Sequence, residues 1–475
     1  MSTEREESLA APGGERVLAR AVGLNVAGQA GGFAIAFFSS ILLARTLGPS
    51  DRGLLAVMVV VTTVVLALSG AGLQVAMQYY AGRRETSQRA LLGNTFAYAA
   101  VLAVVFVPAF LLLHSPISHA FAHGRGGLVW VLAGVLVPLT FLDFSTAGQL
   151  CGRFEFGLWN VVLIVSRLIT LVAVIVLVAA LGLGVAGGIL ATAAGSVVVI
   201  CVATVHLLRE GRPRIDLGLF RASVRYGARA QIGSFFQFLN FRLDVLMLSF
   251  FVPLADIGHY AVAQSLAELV GYLGLAFQIS VLPILACSDG NGQGNETSSA
   301  AVRHHGVLAF VLVLVNAVLA PLVLLFGYGA AFRPALIPLF VLLPGMWFMG
   351  TGSLIVGDLR GRGRPGLAST VKGGAALFTV GLDLVLIPQF GIIGAAIASS
   401  LAYTSFGVIA LVVLSRVAGI SLRRLAIPTR EDFALYPRLA RAFVTRLRGR
   451  SAGDQPAEGE RLDVVRAAQP IVVGD

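Results

Sequence analysis

The chain has 475 residues, 57% hydrophobic and 12% charged, with a formal net charge of +11. Soluble domains carry about 25% charged residues, so a water-facing surface cannot be assembled from this composition. A soluble enzyme, a secreted domain and a disordered chain are excluded, and a multi-spanning membrane protein remains.

In chain order, Met1 to Arg16 is a polar tail of mixed charge, with no short apolar core ending in a small-residue cleavage site. Twelve apolar helical spans follow, at 17–44, 53–81, 90–113, 127–151, 156–180, 185–208, 230–252, 257–287, 304–327, 334–357, 366–388 and 391–415. About 20 apolar residues suffice to cross the hydrocarbon core as helix. Barrel strands would instead alternate apolar and polar residues in segments of about ten. Loops after even-numbered spans hold fourteen arginines, six of them in the basic linker 209–229. Loops after odd-numbered spans hold four: Arg45, Arg52, Arg125 and Arg333. This bias places both termini in the cytoplasm; the expected location is the plasma membrane. Residues 416–450 carry nine arginines, with Leu435, Leu439, Phe443 and Leu447 spaced four apart, as in an amphipathic helix lying on anionic inner-leaflet lipid. Residues 451–475 read as disordered.

The chain repeats itself. Asp51-Arg52-Gly53 returns as Asp256-Ile257-Gly258, and Gly184-Val185-Ala186-Gly187 as Gly391-Ile392-Ile393-Gly394, at offsets of 205 and 207. The expected fold is therefore all-α integral membrane, with a six-helix bundle over 17–208 and another over 230–415, related by a pseudo-twofold axis along the membrane normal. Two such bundles facing across a cavity make a transporter architecture. Asp51 and Asp256, at equivalent positions, are expected to cap the helices they precede.

Leu43-Ala44-Arg45-Thr46-Leu47-Gly48 with Asp51 and Gly53, and Ser69-Gly70-Ala71-Gly72-Leu73, resemble signatures of the polysaccharide (oligosaccharide) flippase family. Arg242-Leu243-Asp244, Gly258-His259-Tyr260-Ala261-Val262-Ala263, Gly363-Arg364-Pro365 and Ile387-Pro388-Gln389-Phe390-Gly391 extend the resemblance in order over residues 20–415. It implies membership of the superfamily that also holds lipid II flippases and multidrug exporters, and a cargo of polyprenyl-diphosphate-linked sugar units moved to the outer leaflet. The implied partners are that anionic lipid-linked oligosaccharide and polysaccharide assembly proteins; nucleic acid is not among them. Asp383 departs from the family pattern, where Asn is expected, and leaves open whether span eleven has gained an ionisable role.

An ionised side chain at the bilayer centre costs roughly 2.5–3.5 kcal/mol on insertion scales, so each one needs a reason. Arg167 in span five and Lys372 in span eleven stand 205 residues apart and so at matching repeat positions. With Arg242 they are candidate contacts for a diphosphate, and Arg360, Arg362 and Arg364 for its first capture at the cytoplasmic mouth. Arg242 and Asp244 project about 200° apart on a helix, so each requires a partner elsewhere. Asp244, Glu268 and Asp383 are candidates for coupling to a proton or sodium ion, and Arg45 and Arg52 for gating at the outer mouth. Asp143 has no assigned role. No catalytic or metal site is expected. His114, His119 and His123 merely share a loop, and Gly361-Arg362-Gly363-Arg364-Pro365-Gly366 has no strand before it. A small-molecule exporter is the runner-up, although such a function favours acidic cavities. A membrane glycosyltransferase or polymerase would need carboxylates in a sizeable outer loop, and 114–126 contains none.

Overall fold

The computed structural model describes residues 14–83, 86–153, 155–287, 293–429 and 432–433, and every regular element among them is helical. The chain begins with α1 (Gly14–Ser69), α2 (Leu73–Ala81), α3 (Gln88–Ala122) and α4 (Val129–Gly152). Next come α5 (Phe156–Ala173, continued as a π-helix over Val174–Ala180) and α6 (Gly184–Leu207). The second half holds α7 (Leu217–Phe251), α8 (Leu254–Cys287), α9 (Gln293–Leu322, continued as a π-helix to Tyr328), α10 (Leu336–Gly361), α11 (Pro365–Ala418) and the short α12 (Leu422–Ala426).

Eight of these helices are long and apolar enough to cross a bilayer. Two of the eight, α1 and α11, break at Gly48 and Gly391, where the backbone is non-helical, and so supply two spans each. With α7 and α8 the expected twelve are complete, as two six-helix bundles. Gly391 and its repeat partner Gly184 share a φ of 55°, a left-handed conformation open to glycine at little cost. The repeat read from sequence is thus repeated in the backbone. The outward faces are apolar: Leu112 and Val104 of α3 are 79% and 74% exposed, as suits hydrocarbon contact and not water.

The end at which α1 begins and α11 finishes is the near end, the opposite one the far end. At the far end the bundles meet through backbone. A Cβ on Gly53 would stand 1.8 Å from the Leu254 carbonyl oxygen, and one on Gly258 would stand 2.0 Å from that of Pro49. Gly53 and Gly258 are repeat equivalents, and so are Pro49 and Leu254, so the contact is reciprocal about the pseudo-twofold axis. Around it, Arg45 Nη2 donates to the Phe326 carbonyl at 3.0 Å, His123 Nε2 lies 3.2 Å from the Val252 carbonyl, and Phe121 packs on Phe250 with centroids 5.3 Å apart. Asp51 and Asp256 sit within the first turns of their helices, and among the described residues neither side chain makes a capping hydrogen bond. Asp51 instead pairs with Arg125 at 2.7 Å.

At the near end the linker is shorter than the sequence reading has it, because α7 starts at Leu217 and not near 230. Asp216 Oδ1 accepts from the Leu219 amide at 2.9 Å and caps the helix. Buried Asn94 of α3 clips the same residue, donating to its carbonyl at 2.9 Å and accepting from its amide at 3.0 Å. The first turns of α7 thereby lean on the first bundle while its last turns belong to the second. Beyond α12, Asp432 accepts from Arg303 Nε at 2.6 Å and from the Thr429 amide at 2.7 Å. Burial alone would raise its pKa, but these donors hold the carboxyl down to about 2. Residues 1–13, the apolar series Leu435, Leu439, Phe443 and Leu447, and residues 451–475 lie outside the described residues.

Two outcomes follow from these contacts. Gly53→Ala and Gly258→Ala each put a methyl group into a carbonyl oxygen of the other bundle, so the far end opens. A cysteine placed at Leu254 in a cysteine-free background then reacts faster with an impermeant maleimide applied from the far side; unchanged labelling would refute the backbone seal. Asn94→Ala leaves both polar groups of Asp216 without their partner and costs about 1–3 kcal/mol. It lowers the unfolding temperature in detergent and speeds amide exchange over 211–219, whereas exchange at the wild-type rate would show that the clip holds nothing.

Candidate functional site

Tyr260, Gln264, Glu268 and Tyr272 recur every four residues along α8 and so form one polar stripe along that helix. Facing it is the end of α7. Arg242 Nη1 forms an ion pair with Glu268 Oε1 at 3.3 Å and donates to Gln264 Oε1 at 3.3 Å. Asp244, 2% exposed, accepts from the Tyr260 hydroxyl at 2.5 Å, from the Val245 amide at 2.8 Å and from Gln264 Nε2 at 3.4 Å. Arg242 and Asp244 therefore take separate partners on another helix, as their angular separation requires. The Tyr260 hydroxyl also lies 3.4 Å from Ser399 Oγ of α11, which hydrogen-bonds Tyr403.

Asp383 of α11 is fully buried, and neither carboxylate oxygen has a hydrogen-bond partner among the described residues. It lies within electrostatic reach of Asp244. A buried carboxylate with no donor, beside another carboxylate, must be neutralised by a proton or accompanied by a cation.

From the first bundle, Asp143 of α4 accepts from Ser196 Oγ at 2.7 Å. Arg167 of α5 is exposed, passes Gly32, and lies within electrostatic reach of Asp143 and of Tyr272 in the second bundle. No hydrogen bond or ion pair engages its guanidinium among the described residues. Tyr272 in turn hydrogen-bonds Glu268, feels Arg242, and stacks on Phe33 of α1 with centroids 4.1 Å apart. One tyrosine thus links Arg167 on one side of the bundle interface to the Arg242–Glu268 pair on the other.

The remaining sequence candidates are more dispersed. Lys372 is buried and lies within electrostatic reach of Arg360, and no described contact joins it to Arg167. Arg362 is bound by Asp358 at 2.5 Å and by Asn295 and Ser298 at 2.8 Å each, whereas Arg360 and Arg364 are exposed. Arg45 bridges the bundles at the far end. Arg52, half-buried, is within reach of Arg242 and Tyr328, and its Nε has no described partner. Among the described residues no cluster of His, Cys, Asp and Glu is arranged to hold a metal ion. Sequence reasoning missed Gln264, Tyr272, Ser399 and Tyr403, although the four-residue spacing on α8 was there to be counted.

Set beside known proteins, the chain resembles two solved folds at low identity. It matches lipid II flippase MurJ in an inward closed conformation with a TM-score of 0.70 at 14% identity, covering 87% of this chain and 92% of that one. It matches an inward-facing multidrug resistance MATE family transporter of the MOP superfamily with a TM-score of 0.65 at 16% identity, covering 83% and 96%. In sequence it is 22% identical to the probable low-salt glycan biosynthesis flippase Agl15 of Haloferax volcanii over 70% of this chain and 78% of that protein. It is 24% identical to the succinoglycan biosynthesis transport protein ExoT of Rhizobium meliloti over 68% of this chain, and spans 63% of ExoT. Residues 18–288, more than half of the chain, match the family described as polysaccharide biosynthesis protein, and the chain, a multi-pass membrane protein, belongs to that family.

Proposed function

We propose that the protein flips polyprenyl-diphosphate-linked oligosaccharide units from the inner to the outer leaflet of the cytoplasmic membrane for polysaccharide assembly. In this reading the arginine-rich near end faces the cytoplasm with both termini, and the bundles rock so that their interface opens to each side in turn. The sealed far end then corresponds to an inward-facing state.

The observation that carries the reading is the meeting, through Tyr272, of an unengaged arginine from one bundle with a paired arginine from the other. Arg167 offers a free fork to a diphosphate, and bidentate Arg–phosphate contacts are among the stronger hydrogen bonds. Arg242, already neutralised by Glu268, is a weaker contact. Arg360 and Arg364 make the first capture at the near end, with Lys372 behind them, while Arg362 mainly braces α10 against α9. Arg45 and Arg52 act at the far end, in gating and release. Asp244 and Asp383 hold the coupling ion, a proton or sodium, with Glu268 linking that ion to Arg242.

The test is mass spectrometry of polyprenyl-diphosphate-linked sugars in cells lacking the protein. Intermediates accumulate, wild type clears them, and Arg167→Ala clears them about tenfold more slowly, as expected for losing one charge-assisted contact worth about 1.5 kcal/mol. No accumulation, with surface polymer unchanged, would overturn the reading in favour of a small-molecule exporter. In proteoliposomes Asp383→Asn removes the response of transport to an imposed proton or sodium gradient. A response equal to wild type would take Asp383 out of the coupling.

A further inference from the structure

A second cationic feature lies at the near end, where α2 crosses the first turns of α7, away from the stripe on α8. The crossing is close: a Cβ on Gly72 would stand 2.0 Å from the Gly227 carbonyl oxygen. Next to it the Tyr79 ring stacks on Tyr226, with centroids 4.2 Å apart and planes 12° from parallel, and Tyr80 meets Tyr226 edge-on at 6.0 Å. Arg83 Cζ lies 5.7 Å from the centroid of the Tyr79 ring. On α7, Arg221, Arg225 and Arg229 follow one another at four-residue intervals, and all three are exposed. A groove of about 570 Å³ opens here, lined by Tyr80, Ala222, Arg225, Tyr226 and Arg229.

Among the described residues no carboxylate lines this groove, and none of these arginines forms an ion pair. Like charges four apart on a helix destabilise it by a few tenths of a kcal/mol per pair. The bias of basic residues towards one membrane face accounts for positive charge at this level. It does not account for arginine forks aligned on one helix face beside a wall of stacked tyrosines at the junction of the two bundles. Arg225 and Arg229 border the groove as two guanidinium groups one turn apart, a spacing suited to the oxygens of a phosphate or diphosphate. The tyrosine wall gives the attached apolar or sugar moiety a flat surface to lie on.

We propose that this groove docks a lipid-borne phosphate or diphosphate headgroup at the near-end leaflet, apart from the site around Tyr272. The proposal rests on the proposed function only in taking the substrate lipid as one of two sources of that headgroup, the other being bulk anionic phospholipid.

The full-length purified protein is titrated by native mass spectrometry with farnesyl diphosphate, with phosphatidylglycerol, and with farnesol as the uncharged control. Wild type retains farnesyl diphosphate over farnesol. The Arg225→Gln/Arg229→Gln variant loses about tenfold in affinity for it, on the order of one charge-assisted contact. The Arg225→Lys/Arg229→Lys variant keeps the charge that orients the helix but not the forks, and loses about threefold. Size-exclusion profiles and unfolding temperatures matching wild type exclude misfolding as the cause. Displacement of farnesyl diphosphate by equimolar phosphatidylglycerol assigns the groove to bulk lipid, and failure to displace it assigns the groove to the diphosphate-bearing substrate. Equal binding of farnesol and farnesyl diphosphate by wild type, or a Gln variant that binds as wild type does, overturns the proposal. A protein that binds lipid phosphate through Arg225 and Arg229 yet clears no lipid-linked glycan in cells keeps the groove and loses the transport reading.

Discussion

Hydrocarbon offers no hydrogen bonds, so a polar side chain in a span is tolerated only where another helix supplies a partner. In this molecule that constraint gathers the polar groups of the second bundle onto the facing surfaces of α7, α8 and α11. Arg242 finds Glu268, Asp244 finds Tyr260 and Gln264, and Tyr260 reaches Ser399. Each partner comes from another helix, so the cluster also fixes how the three helices register with one another. Asp383 is the member the constraint leaves unsatisfied, and a buried group left without a donor is where an exchangeable ion has most to gain by binding.

The same lack of competing solvent explains how the bundles close against each other at the far end. Within lipid, helices associate largely by van der Waals contact, which rewards residues small enough to let backbones touch. Gly53 and Gly258 do this reciprocally, with no side chain between the bundles at that point. A seal of this kind is short in range: once the backbones separate by a few ångströms little attraction remains. The polar contacts that surround it, Arg45 on the Phe326 carbonyl and His123 on that of Val252, can be exchanged for water as the end opens.

Much of the architecture was legible because hydropathy and charge bias are properties of single segments. The twelve spans, the repeat, and the need of Arg242 and Asp244 for partners elsewhere all came from spacing. The start of α7 was hidden for a local reason: Arg221, Arg225 and Arg229 look like loop residues until Asp216 is recognised as a cap that Asn94 holds in place. The site was legible only in part. Repeat arithmetic placed Arg167 and Lys372 at equivalent positions, but equivalence in register does not give them the same neighbours. Arg167 lies near Tyr272 across the interface, while Lys372 lies near Arg360. Which residues stand across from one another between bundles depends on tilt and packing, which no segment of sequence encodes by itself.

The broken symmetry carries the last step of the argument. At the repeat offsets, Asp244 corresponds to Ser39 and Glu268 to Thr63, and Asp383 falls at Val176 or Val178. The two hydroxyls bond back to carbonyls of their own helix, Ser39 to Ile35 at 3.0 Å and Thr63 to Val59 at 2.7 Å, and so need nothing from a neighbour. Of these matched positions, only those in the second bundle are ionisable, and the first bundle brings Arg167 to the shared interface. Under the proposed function, a change of protonation or ion occupancy at Asp383 and Asp244 acts first on the packing of α7, α8 and α11. It passes to the first bundle where the two touch, through Tyr272 and the backbone seal at Gly53. In the proposed transport cycle, an ion that acts on one bundle while the cargo touches both is the asymmetry that would let ion binding bias a rocking motion between otherwise similar halves.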